Sequence, residues 1–60
     1  MIYYDARVVD PHGIEVARFY LDAKTDEQAI DLAKRTFRYQ YPHSNLSQYH
    51  FCAKLFQRIH

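Results

Sequence analysis

Cysteine and glycine each occur once in these 60 residues, and tryptophan does not occur at all. With Cys52 as the only thiol, no disulfide can staple the fold from within. With Gly13 as the only glycine, there is no glycine-rich loop to cradle a phosphate. An excess of charge of one sign is lacking too. Eight Lys and Arg stand against seven Asp and Glu, for a formal net charge of +1, so no general attraction to nucleic acid or to an anionic membrane is expected. No apolar run approaches the roughly 20 residues that cross a bilayer. The amino end reads directly as a strand, with no signal-peptide pattern. A lone thiol without a secretion signal fits a reducing, cytoplasmic setting.

Catalytic constellations are also scarce. His50 and Cys52 lie two apart on one extended stretch, so both point to the same side. A zinc site needs three or four converging N or S ligands, and His12, His43 and His60 fall in a turn, a loop and the last position. A Cys–His nucleophile needs hydrogen-bond reach of about 3 Å, and neighbours two apart on a strand diverge. Asp5, Asp10, Glu15 and Asp22 are scattered over faces and ends with no converging pair. A chain this small also encloses little volume for a substrate. These features point to a non-enzyme that needs no cofactor and no metal.

What is present is patterning. Hydrophobic residues make up 48% of the chain, which argues against disorder. Residues 1–60 are read as one domain, and one this size buries only about 60% of its unfolded surface. Tight packing or self-association must then stabilise it. The clearest element is a helix over Thr25–Tyr41. Thr25 is a good N-cap, with Gln28 placed for a capping box. Asp26 and Glu27 lie at the positive end of the dipole, and Lys34, Arg35 and Arg38 toward the negative end. Ala29, Ile30, Ala33, Phe37 and Tyr41 form an apolar stripe flanked by Leu32 and Thr36. Asp31 can pair with Arg35 one turn later, and Pro42 stops the helix.

Three stretches alternate as strands do. They are Met1–Val9, Ile14–Ala23 and Gln48–Ile59. Asp10-Pro11-His12-Gly13 between the first two is a turn, with a preset φ at Pro11 and a cheap positive φ at Gly13. Cross-strand chemistry predicts Val9 opposite Ile14, Asp5 opposite Arg18, Tyr3 opposite Tyr20 and Tyr4 opposite Phe19. A one-residue slip would place Asp5 against Phe19 and is rejected. Ile2, Tyr4, Ala6, Val8, Ala17, Phe19, Leu21, Ala23, Tyr49, Phe51, Ala53, Leu55 and Ile59 then face the helix. A right-handed crossover puts the third strand beside the first. The expected architecture is α+β, a ββαβ unit with a three-stranded antiparallel sheet of order 2-1-3 and one helix packed on one face.

One helix leaves the other face open. That face is expected to carry Tyr3, Arg7, Val9, Ile14, Val16, Arg18, Tyr20, Lys54, Phe56 and Arg58, with Asp5, His50 and Cys52 among them. Its apolar and aromatic bulk exceeds what most monomers expose, and Tyr, Phe and Arg are interface-enriched types. The expected function is a small non-catalytic protein-interaction module of adaptor or inhibitor type, comparable in size to small phage-encoded modulators. It would form a homodimer or dock on a larger protein by this face or by an edge strand. The alternative is a nucleic-acid surface, in which the aromatics stack bases and Arg7, Arg18, Lys54 and Arg58 meet phosphates. Neither case involves a membrane.

Overall fold

The computed structural model describes residues 2–58. Strand β1 spans Ile2–Val9, β2 Glu15–Asp22, helix α1 Asp26–Gln40 and β3 His50–Arg58, with a short 3-10 turn at Leu46–Gln48. The sheet is antiparallel throughout, in the order β2-β1-β3. The α+β architecture read from the sequence is the observed one. The expectations for Met1, Ile59 and His60 concern positions outside the described residues.

Helix α1 begins and ends where its chemistry dictates. The Thr25 hydroxyl accepts the Gln28 N–H at 3.1 Å. The Gln28 side chain turns back one residue further than a standard capping box and accepts the Lys24 N–H at 2.7 Å. At the other end the Tyr41 N–H closes on Phe37 O at 2.8 Å, and Pro42 follows. Ala29, Ala33 and Phe37 are buried, and the expected Asp31–Arg35 pair forms at 3.1 Å.

The core is one-sided. Ala6, Val8, Ala33, Phe37 and Phe51 form the larger cluster, and Tyr4, Ala23 and Ala29 a smaller one. Alanine at Ala6, Ala29 and Ala33 lets the helix lie close to the sheet. Phe37 anchors the aromatic end, with ring centroids 5.0 Å from Tyr41, 5.1 Å from Tyr49 and 5.7 Å from Phe51. These are the separations favoured by aromatic pairs. Leu55 departs from expectation. It stands opposite Tyr4, on the helix side, yet is 48% exposed and belongs to neither cluster.

The hairpin register also differs from the sequence reading. Asp5 stands opposite Tyr20, Arg7 opposite Arg18, Tyr3 opposite Asp22 and Tyr4 opposite Leu21, a displacement of two residues. The turn explains the first step. Gly13, at φ 83°, donates to Asp10 O at 3.0 Å, and the Asp10 N–H donates to Ile14 O at 2.9 Å. The Asp10 carboxylate accepts the His12 and Ile14 N–H groups, each at 2.9 Å. The loop is therefore three residues closed by Asp10 and Ile14, a type I turn completed by a left-handed glycine. Val9 then meets Glu15 instead of Ile14, and a bulge between Val8 and Val9 adds the second step. Two single-residue steps restore the original faces beyond the bulge, which is why the inward and outward sets of β2 survive.

Strand β3 starts at His50, later than expected, because Asn45 Oδ1 accepts the Ser47 N–H at 3.2 Å and its hydroxyl at 2.7 Å and winds the 3-10 turn. A second bulge lies near its end. Tyr3 pairs with Gln57 but Tyr4 with Leu55, so Phe56 is the extra residue. Beyond it the faces exchange.

Candidate functional site

The site is the sheet face that α1 does not cover. At its centre is Asp5, the one buried charged residue among the described residues, at 7% exposure. β1 carries it outward, and its neighbours build a roof over it. The Arg18 guanidinium donates through Nε at 2.9 Å to one carboxylate oxygen and through Nη2 at 2.7 Å to the other. This two-point fork is the strongest geometry available to an Arg–carboxylate pair. Arg7 Nη2 adds a third bond at 3.2 Å, and Arg7 Nε lies 3.6 Å from Glu15 Oε1. Hydrogen bonding to Arg18, above all, holds the Asp5 carboxyl below the usual carboxylate range, and the same bond raises the Arg18 guanidinium. Arg7 and Arg18 face each other directly, an unfavourable pairing for like charges. The shared carboxylate offsets it.

An aromatic pair completes the roof. Tyr20 on β2 and Phe56 on β3 bring their ring centroids within 5.1 Å. Their strands flank β1 and are about 10 Å apart, so the two rings converge above the central strand. The Arg18 guanidinium lies 5.5 Å from the Tyr20 centroid, within cation–π range. The result is a connected row of Asp5, Arg18, Tyr20 and Phe56. Tyr20 is 56% exposed, Phe56 57% and Val16 42%. Beside the row a hollow of about 180 Å³ is lined by Asp5, Arg7, Cys52, Ala53 and Lys54.

The candidate residues divide as follows. Tyr3, Arg7, Arg18, Tyr20, Lys54 and Phe56 share the open face, with Tyr3 half-buried. Val9 is half-buried opposite Glu15, and Val16 occupies the β2 bulge. Ile14, exposed, precedes β2 and belongs to the turn, so the expected Val9–Ile14 pair does not form. Arg58 is not on this face. The Phe56 bulge places it opposite Ile2, which packs with Tyr4, Ala23 and Ala29 on the helix side. Its charge is felt there by the Tyr4 hydroxyl.

Sequence reasoning did not count Asp22 and Glu15 among the face residues, yet Asp22 stands opposite Tyr3, and Glu15 reaches Arg7. It also did not foresee the Tyr4 phenol, raised by burial and then by its hydrogen bond to Asp26 at the start of α1. No three His, Cys, Asp or Glu side chains converge among the described residues, and no helix among them is long and apolar enough to cross a membrane. No protein-family model matches the chain, and no match emerges among curated proteins or solved structures.

Proposed function

We propose that this chain is a small non-catalytic interaction module, of adaptor or inhibitor type, that docks a protein partner on its open sheet face. The observation that carries this is the ordered aromatic row. Tyr20 and Phe56 are more than half exposed, yet they are held by each other and by an Arg18 that Asp5 pins at two points. Large side chains fixed before contact lose little freedom on binding, and Tyr and Arg are the types that dominate binding energy.

The face does not favour phosphate. Arg7, Arg18 and Lys54 are balanced there by Asp5, Glu15 and Asp22, and Arg58 lies on the other side. Nor is it built for chemistry. Its hollow, about 180 Å³, is below the roughly 300 Å³ at which ligand pockets begin, and both guanidinium groups already engage Asp5. The edges of the sheet are less suited to strand addition than the face. β3 is interrupted by the Phe56 bulge and guarded by Lys54, and β2 carries Glu15, Arg18 and Asp22. The single exposed thiol, Cys52, agrees with a reducing, cytoplasmic setting.

The test begins with affinity capture from the native cell using wild type and Phe56→Asp side by side. Any protein recovered only by wild type is purified and titrated against wild type, Phe56→Asp and the helix-face control Arg35→Ala. Docking on the open face requires loss with the first variant and unchanged affinity with the control. Equal binding by all three would refute it.

A further inference from the structure

We infer that the occupant of the open face is a second copy of this chain, laid face to face about a two-fold axis in the plane of contact. The inference rests on the docking role proposed for that face and names its partner. An isologous contact demands a surface that complements itself. A face of one sign repels its own copy, whereas here three cations and three anions share the face, Arg7, Arg18 and Lys54 with Asp5, Glu15 and Asp22. Such balance suits a like surface better than a polyanion or a strongly charged partner.

Area points the same way. The chain exposes 4605 Å², while a folded monomer of its 7.3 kDa mass ordinarily exposes about 4,200 Å². The excess fits a molecule whose sheet lacks a second layer. Its longest extents are 37 and 21 Å, so no side offers much more than the roughly 800 Å² that each partner gives to an interface of standard size. A copy of the same size matches that side, and the contact is reversible, not obligate. The monomer also has reason to associate. Among the described residues, Val8 is the largest side chain buried completely, and much of the remaining core is alanine.

Cys52 supplies a built-in reporter. It is exposed, lies on the open face opposite Arg7, and is the only thiol in the chain. Sedimentation equilibrium between about 5 and about 500 µM should show wild type rising from one chain mass toward two over this span, as micromolar dissociation requires. Val16→Asp and Phe56→Asp, both at exposed positions, should keep their circular dichroism and stay at one chain mass. In unmodified wild type the maleimide labelling rate of Cys52 should fall about four-fold from the dilute to the concentrated sample, the drop in monomer fraction for a dissociation constant of about 50 µM. A wild type that remains monomeric at the top concentration overturns self-pairing and leaves open-face docking of a different protein to the capture experiment. A dimer that persists in both variants with Cys52 still reactive also overturns self-pairing through this face, because the contact then lies elsewhere, and open-face docking again rests on the capture experiment.

Discussion

Phe37 and Phe56 carry the same ring into opposite surroundings, and truncating each in turn tests the one-sided core. Phe37 is 3% exposed and touches three rings, Tyr41, Tyr49 and Phe51. Phe37→Ala removes a buried ring and leaves a cavity, a loss of about 3–5 kcal/mol. A chain of this length holds only about 3–9 kcal/mol in all. Phe56 is 57% exposed and packs on Tyr20 at 5.1 Å. More than half its ring area is already in water, so Phe56→Ala costs about 1–2 kcal/mol. Urea unfolding followed by far-ultraviolet circular dichroism, on dilute samples so that association does not contribute, separates the two. With a slope near 1 kcal/mol/M, the Phe56→Ala midpoint should fall by about 1–2 M and its transition should stay cooperative. Phe37→Ala should have little or no folded baseline. Equal losses, or a greater loss at Phe56, would mean that the aromatic core sits on the other side of the sheet.

Three further outcomes follow from the same geometry. The Asp5 carboxyl is depressed by Arg18, so the stability it contributes is present above the unfolded value of about 3.9 and lost as pH falls through the folded value. Wild-type Tm should decline through that acid window, while Asp5→Asn should start lower at neutral pH and show a flatter curve; parallel curves would refute the pairing. The Tyr4 phenol is raised by burial and by Asp26, so its contribution is present below the unfolded value of about 10 and lost as pH rises through the folded value. In a near-ultraviolet titration of the six tyrosines, the last to ionise should vanish in Tyr4→Phe. Gly13 sits at φ 83° with nothing within 4 Å of an added Cβ. Gly13→Ala therefore meets only conformational strain, about 1–2 kcal/mol, seen as a Tm lower by roughly 5–15 °C. Gly13→Asn should lose less, and an unchanged Tm for alanine would contradict the left-handed turn.

Much of this was legible in the residue pattern, for identifiable reasons. A period-2 alternation fixes faces, and the order of strands followed from one helical crossover, so Phe51 inward and Phe56 outward could be read directly. Thr25 and Tyr41–Pro42 marked the helix ends because capping and proline chemistry are local. Register was not legible, since it depends on how Asp10 divides its bonds between His12, Gly13 and Ile14. The bulges left a weaker trace. In Leu55-Phe56-Gln57 two large apolar neighbours break the alternation, and that is where the extra residue sits. Arg58 was assigned to the wrong face because strict alternation was carried through this break. The Asp5–Arg18 pair was foreseen as a direct cross-strand partner. It forms diagonally, because with Asp5 opposite Tyr20 and Arg7 opposite Arg18 a side chain as long as arginine still reaches the carboxylate two positions away.

The two arginines of the open face decide between its rival roles. Cations that serve a phosphate backbone must be free to exchange partners with it. Arg18 is instead fixed by bonds of 2.7 and 2.9 Å to a carboxylate that is itself 7% exposed. A phosphate could recruit it only by stripping Asp5 of its strongest partner and leaving a buried charge short of bonds. Arg7 is divided between Asp5 and Glu15. Their positive charge is thus spent on cancelling the repulsion created by their own register and on seating the Tyr20 ring beside Phe56. What this leaves toward solvent is a stiff aromatic row over a neutralised centre. Exposed Tyr and Phe beside an arginine whose charge is already paired are the residue types enriched at protein interfaces. It follows that Asp5→Asn should loosen Arg18 and Tyr20, weakening protein docking while raising, not lowering, any residual affinity for an oligonucleotide at low salt. Comparing both affinities in the one variant separates the roles, because a nucleic-acid surface would gain from that substitution and a protein-docking surface would lose.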